Sequence, residues 1–357
     1  FQSSLHGTLK AEGNTADSAD SYADEEHLYS GEDKDARPYA QLTELGSQQL
    51  INIGKNLRSR YTYAAGNKNK NDKKKNNKII SSDYEDACDD IYIRSTNMCR
   101  TLQSLRSLIV GLYDISKNKK SSLITAASSS SSSSSYSLSV HTRSKDNETM
   151  FPKANSILLA AKRSLILPDS LYHETHDGYT EYEKRIKLAL GYDPNDINTK
   201  VSWLTVKEIL SCYKVHGHPY PLDLNYEDEE FATIISGWMW GVLFKDEDIN
   251  RLACGRFIKE LLNDIKNEQK DKNMLIYSGH DSTLVPLLCA LGVYNDQWPP
   301  YASYLVLEFI VDNTTGEEYV RALYNDQIVN MFNTDTDTST SNDMVSMNFF
   351  IEQLNKF

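Results

Sequence analysis

Two stretches far apart in the sequence read as the same unit, a strand followed by a tight turn and a helix. In the later one, Met274-Leu275-Ile276-Tyr277 is an apolar run of strand length and Ser278-Gly279 a small-residue break. Apolar residues then recur at 284, 287, 288 and 291, the spacing of a helix, which Gly292 closes. Asp281 or Ser282 is the expected cap of that helix. In the earlier one, Ile91-Tyr92-Ile93 reads as the strand and Arg94-Ser95-Thr96 as the turn. Thr96 or Asn97 is the expected cap, and Met98, Leu102, Leu105, Leu108, Ile109 and Leu112 form a helical stripe. Units of this kind build open α/β sheets, in which ligands bind beyond the carboxyl ends of the strands. Arg94 stands at one such end and His280-Asp281 at another, so the two can converge on one crevice.

The stretches around these units divide the chain. Residues 1–38 carry nine acidic residues against Lys10, Lys34 and Arg37 and show no hydrophobic period, the composition of a disordered segment or long surface loop. Residues 39–149 read as the first part of an α/β domain. They open with a helix, in which Leu50, Ile53, Leu57 and Tyr61 recur behind a Thr43 cap. Two low-complexity insertions interrupt this part: 66–78, with six lysines and one aspartate, and 121–139, around the serine run Ser128–Ser135. Residues 150–270 turn mostly helical, with helices expected near 154–166, 180–190, 201–213, 229–244 and 247–266. A cap subdomain inserted between sheet strands has this pattern. Residues 271–330 return to the sheet and add a hairpin of Tyr304–Ile310 and Tyr319–Tyr324, joined through Thr314 to Glu317. Residues 331–357 read as a polar tail with a short helix over Met344–Leu354.

Composition excludes several classes. The net charge of −12 argues against bulk attraction to nucleic acid. The lysine-rich loop has no interleaved aromatic residues and reads as a solvated insertion. No run approaches the roughly 18 apolar residues of a membrane-spanning helix. The five cysteines show no metal-ligand spacing, and Cys99, Cys254 and Cys289 lie in helical patterns expected to bury them as free thiols. His216-Gly217-His218, beside Pro219, is too unspecific a pair to mark a metal site. The sequence contains no GxSxG nucleophile turn, P-loop or dinucleotide-binding GxGxxG.

Arg94, His280 and Asp281 therefore carry the chemistry. An arginine offers a planar fork of donors to phosphate or carboxylate. A histidine beside an anion is a donor, or when neutral a base or nucleophile. A protonated aspartate there can hand its proton to a leaving alkoxide. The set suits phosphoryl transfer better than acyl transfer.

Three blocks resemble the histidine acid phosphatases. One is Tyr277-Ser278-Gly279-His280-Asp281-Ser282-Thr283 followed by Trp298-Pro299-Pro300-Tyr301-Ala302-Ser303. The others are Ile93-Arg94-Ser95-Thr96-Asn97 and Gln41-Leu42-Thr43-Glu44-Leu45-Gly46, the last with its helix ending Leu57-Arg58-Ser59-Arg60-Tyr61. They occur in the family's order over residues 39–330 and look most like its lysophosphatidic-acid-phosphatase-type and prostatic or lysosomal branches. The resemblance implies a phosphoglycerate-mutase-like α/β sheet with helices on both faces and an inserted, mainly helical cap. It implies hydrolysis of phosphate monoesters through a phosphohistidine, with no metal or other cofactor. In it Arg94 and His280 bind phosphate and Asp281 is the general acid. The implied partner is a small-molecule phosphate monoester, lysophospholipids among the candidates. The family's nucleophile lies in an RHGxRxP motif after the first sheet strand, upstream of the Gln41 block. Here Leu5-His6-Gly7-Thr8-Leu9-Lys10-Ala11 stands at that place, without either arginine, the proline or a preceding apolar strand. The expectation is a phosphatase scaffold whose nucleophile and central strand lie outside this sequence, with a slot left in its core. The alternative is a pseudophosphatase that keeps an anion-binding site.

Overall fold

A computed structural model of the protein describes residues 41–63, 79–83, 90–114, 138–152, 165–333 and 343–357. The acidic amino-terminal segment, the lysine-rich loop, nearly all of the serine-rich insertion and most of the helix expected at 154–166 lie outside the described residues.

The first helix, α1 (Glu44–Tyr61), starts where Thr43 Oγ1 accepts the Gly46 N–H at 3.1 Å, and it ends with Arg58 and Arg60 against the negative pole of its dipole. Two short strands follow, β1 (Thr62–Tyr63) and β2 (Ile80–Ser81), paired in parallel. Next come β3 (Ile91–Ser95) and α2 (Cys99–Tyr113), the strand–turn–helix expected there. The cap position of α2 is Met98, with no side-chain bond, so neither Thr96 nor Asn97 serves. Thr96 is instead used inside the site described below. Helices α1 and α2 touch backbone to backbone, because a Cβ on Gly54 would lie 2.1 Å from the Leu108 carbonyl oxygen and one on Gly111 2.0 Å from that of Ile51. Only glycine fits at either position.

β3 is the middle of a parallel sheet, between β4 (Val140–His141) and β5 (Met274–Ser278). Its register pairs Arg94 with Tyr277 and Ser95 with Ser278, so the two carboxyl ends lie side by side. Between β4 and β5 the described residues contain helices and no strand: α3 (Asp169–Thr175), α4 (Tyr179–Ala189), α5 (Trp203–Val215), α6 (Tyr226–Phe244) and α7 (Glu247–Asn263). Asn225 and Asp228 form a capping box on α6, and Asp246 caps α7. After β5 comes α8 (Asp281–Ala290), then an antiparallel sheet of β6 (Leu305–Val311), β7 (Glu318–Tyr324), β8 (Gln327–Val329) and β9 (Val345–Ser346). The whole is a mixed α/β protein.

The chain's last described segment belongs to the core and is no loose tail. β9 pairs with β7, and α9 (Met347–Leu354) buries Phe350 and Leu354 completely against α7, α8 and β7. A second apolar cluster joins Trp240 of α6 to Val285 and Leu288 of α8 and to Trp298, so helices from the inserted region share a core with the site-bearing helix. Of the cysteines expected to be buried, Cys254 is; Cys289 is half-buried, and Cys99 is exposed at the start of α2.

One feature of the sheets matters for function. Among the described strands, β5 pairs with β3 alone and β6 with β7 alone. The other edges of β5 and β6 border one cavity of about 2470 Å³, walled by residues 274–278 on one side and 305–311 on the other, with α1, α2, α5, α7, α8 and the loop of residues 298–303 among its further walls. All five residues of β5 are only half-buried, although β3 beside it is almost wholly enclosed.

Gly54→Ala and Gly111→Ala each destabilise the fold by about 3 kcal/mol, the upper end of the usual overpacking cost, because the neighbour that must yield is backbone. Urea unfolding of the two variants measures this. The same change at Gly217, where nothing lies within 4 Å of the added carbon, leaves the packing alone and meets only its positive φ of 66°.

Candidate active site

The site forms where the ends of β3 and β5 meet. The Thr96 N–H donates to the Ser278 carbonyl at 3.1 Å, and Ser278 Oγ donates to the Thr101 carbonyl at 3.0 Å, which ties the end of β5 to α2. The chain then enters α8 with His280 at the cap position and Asp281 as the first helical residue. Neither Asp281 nor Ser282 caps the helix. Thr283 Oγ1 accepts the His280 backbone N–H at 3.1 Å and donates to the Met150 carbonyl at 2.7 Å. Asp281 Oδ1 accepts the Ser282 N–H at 2.7 Å, at the positive end of the α8 dipole.

The His280 imidazole is packed from two sides. Phe151 stacks on it with ring centroids 4.6 Å apart, and its Nε2 lies 2.9 Å from Thr96 Oγ1. Thr96 Oγ1 is also 2.9 Å from Thr101 Oγ1, which faces the carbonyls of Thr96 and Met98 at 3.0 and 2.9 Å. Since a hydroxyl has one proton, Thr101 spends its own on a carbonyl. Thr96 then donates to Thr101 and accepts from His280, which puts the imidazole proton on Nε2. Burial, and after it the charge of Arg100, lowers the His280 pKa from 6.5 to about 3. The ring is therefore neutral, a donor at Nε2.

The two arginines of this region have different fates. Arg94 does not border the cavity. It is 1% exposed, with Nη2 2.6 Å from Glu148 Oε1 and 3.1 Å from Thr149 Oγ1, and Nε 3.0 Å from Glu260 Oε1. Arg143 adds a second cation on Glu260 at 2.9 Å. Strand alternation explains the placement, because Tyr92 and Arg94 share the face of β3 opposite to Ile91, Ile93 and Ser95. Arg100, in the first turn of α2, does line the cavity, with His280 and Asp281. Sequence reasoning brought His280 and Asp281 to this place and passed over Arg100. The available signal was its position one turn past the end of a β3 strand whose outgoing helix starts at the crevice. Among the described residues, no group of three or more His, Cys, Asp or Glu side chains is placed to hold a metal ion. No helix of the described residues is long and apolar enough to cross a membrane.

Fold and site together mark a mixed α/β scaffold with a crevice at its paired strand ends, lined by Arg100, His280 and Asp281. Residues 2–204 and 246–325 match the histidine phosphatase superfamily (branch 2), and the chain belongs to that family. It is 25% identical over 298 residues to lysophosphatidic acid phosphatase type 6 of Mus musculus, covering 80% of this chain and 61% of that protein. To the prostatic acid phosphatase of the same species it is 26% identical over 299 residues, 82% of this chain and 71% of the relative. The chain thus spans about 61% of the length of the first of these. In fold it resembles the phytase of Citrobacter braakii, with a TM-score of 0.61 at 13% identity over 91% of this chain and 90% of that one.

Two outcomes follow from this geometry. Arg94→Met leaves Glu148 and Glu260 buried without their shared cation, at a cost of about 3–5 kcal/mol in urea unfolding. The His280 shift makes stability pH-dependent. The unfolded imidazole takes a proton near pH 6.5 and the folded one only near 3, so the unfolded chain binds more protons in between and stability falls as pH drops through that window. His280→Asn removes this contribution, and its stability between pH 6.5 and 4 falls less steeply than that of the parent chain, by up to about 1.4 kcal/mol per pH unit.

Proposed function

We propose that the protein is a phosphomonoesterase of the histidine acid phosphatase type, with the phosphoryl group held between Arg100 and His280 and the leaving oxygen protonated by Asp281. The observation that carries this reading is that these three side chains border one cavity at the joined ends of β3 and β5. Arg100 replaces Arg94 as the phosphate ligand in this reading. Arg94 lies outside the cavity and is engaged by Glu148 and Glu260, whereas Arg100 lines the cavity with His280 and Asp281. Lysophosphatidic acid, the substrate in the name of the mouse relative, is a phosphate monoester and falls in the class.

The reaction needs a nucleophile, and the family resemblance calls for a histidine in an RHGxRxP motif. We assign its place to a strand seated between β5 and β6, whose facing edges are unpaired among the described strands and border the cavity. A strand parallel to β5 there ends beside Ser278, one turn from His280. Its histidine attacks phosphorus as the ester P–O bond breaks. Asp281 gives its proton to the departing alkoxide, and water then hydrolyses the phosphohistidine with Asp281 as base. Arg100 stabilises the charge on the equatorial oxygens, and the Nε2–H of His280, which donates to Thr96 Oγ1 in the unliganded site, turns to them when phosphate is bound. The pseudophosphatase alternative rests on one observation, the absence of both motif arginines beside His6.

The test is phosphate release from p-nitrophenyl phosphate by this chain, alone and with a synthetic peptide of an apolar run followed by Arg-His-Gly-x-Arg-x-Pro. The expected result is turnover with the peptide and a loss of roughly 100-fold or more in Asp281→Ala. A folded chain that binds the peptide and phosphate yet releases no product supports the pseudophosphatase instead.

A further inference from the structure

We propose that Lys207 makes this pocket selective for phosphate monoesters that carry a second anionic group, a phosphate or a carboxylate, on the leaving part of the molecule. This rests on the phosphomonoesterase reading and goes beyond it to the class of substrate.

Lys207 lies on the inward stripe of α5 with Trp203, Val206 and Leu210, and is 5% exposed. It lines the same cavity as Arg100, His280 and Asp281. Its Nζ sits 4.2 Å from the centroid of the Trp298 ring and 5.8 Å from that of Tyr301. Among the described residues these two ring faces are the ammonium's contacts, with no carboxylate or carbonyl bonded to it. Burial lowers its pKa, and the charges of Glu208, Asp281 and Glu229 act against that shift.

Lys187 provides the contrast. It is buried to the same degree, at 4% exposed, but its Nζ is 3.3 Å from Glu183 and donates to the Asp196 carbonyl at 3.0 Å. An ammonium withdrawn from water without an acceptor is costly, and aromatic faces offset only part of that cost. They also leave its N–H donors unspent. The aromatic pair holds the ammonium at the wall of the cavity that Arg100, His280 and Asp281 also border. A ligand anion completes it. Lysine is a point charge on a flexible stem, so it accepts either a phosphate or a carboxylate. A lysophospholipid with a single phosphate presents no such group.

Calorimetric titration of the 357-residue chain with non-hydrolysable phosphonates tests this. The probes are methylphosphonate, alkane bisphosphonates with one to four methylenes, and 3-phosphonopropionate. The best two-anion ligand should bind about tenfold more tightly than methylphosphonate, the increment of one charged hydrogen bond. Lys207→Met should abolish that advantage and leave methylphosphonate unchanged, while Lys207→Arg retains most of it; both are checked for an unaltered thermal transition. Whether a bisphosphonate or phosphonopropionate gains more identifies the second group. The proposal is overturned if the parent chain shows no two-anion advantage, or if Lys207→Met weakens methylphosphonate and the bisphosphonates equally. Arg100→Ala reports separately on the phosphoryl site: if methylphosphonate fails to bind the parent chain, or binds Arg100→Ala as well, the phosphomonoesterase reading falls first and takes this one with it.

Discussion

The geometry of the site depends on a guanidinium that never reaches it. Arg94 is enclosed with Glu148 and Glu260, and a buried charge pair of this kind is held together by the cost of breaking it more than by any net gain from forming it. Glu148 Oε1 also accepts the backbone N–H groups of Thr149 and Met150, both at 2.8 Å. The ion pair thus fixes the path of residues 148–151. The same four residues present the Met150 carbonyl to Thr283 and the Phe151 ring to His280. Arg94 positions the imidazole through this segment, although its own side chain points to the other face of β3. The arginine in the middle of this signature block thus anchors the segment that packs against His280.

The second constraint is backbone hydrogen bonding. A strand in the interior of a sheet ordinarily has both edges paired, since an unpaired buried N–H or C=O is expensive. β5 carries the site residues at its end, yet it has one paired edge among the described strands, and β6 faces it across the cavity in the same condition. Apolar side chains of both strands border that space, among them Leu275, Leu305 and Leu307. Edges of this length and apolarity invite pairing with any extended segment that fits.

What was legible in the sequence was whatever depends on local periodicity. The switch from strand to helix spacing at 91–113 and 274–292, the Thr43 cap and the hairpin of β6 and β7 all follow from patterns within about one element's length. The two-residue strands β1, β2, β4 and β9 have no period to read. Choosing between Arg94 and Arg100 required knowing what lies on each face of β3, and that is decided by Glu148 and Glu260, which are remote in sequence. The short helix expected over Met344–Leu354 is present as α9, but its polar approach hides how completely Phe350 and Leu354 are enclosed. Lys207 is an intermediate case. Its helical phase with Trp203, Val206 and Leu210 was visible, and a lysine on such a stripe is unusual enough to stand out. Its aromatic partners, Trp298 and Tyr301, come from a loop nearly a hundred residues away and read by themselves only as a turn.

The charges around the cavity can be assigned by how they respond to pH. A general acid such as Asp281 works only while it holds its proton, which favours acidic conditions. An ordinary histidine beside it would gain a positive charge over that same range and change from neutral donor to cation. His280 does not, because burial under Phe151 and the nearness of Arg100 keep its protonation near pH 3. Arg100 cannot titrate in any relevant range. His280 therefore adds no positive charge across mildly acid pH to the end of the cavity it shares with Arg100 and Asp281. The neutral imidazole is thus a consequence of packing: burial under Phe151 and the charge of Arg100 keep it from becoming a cation as the pH falls toward 4.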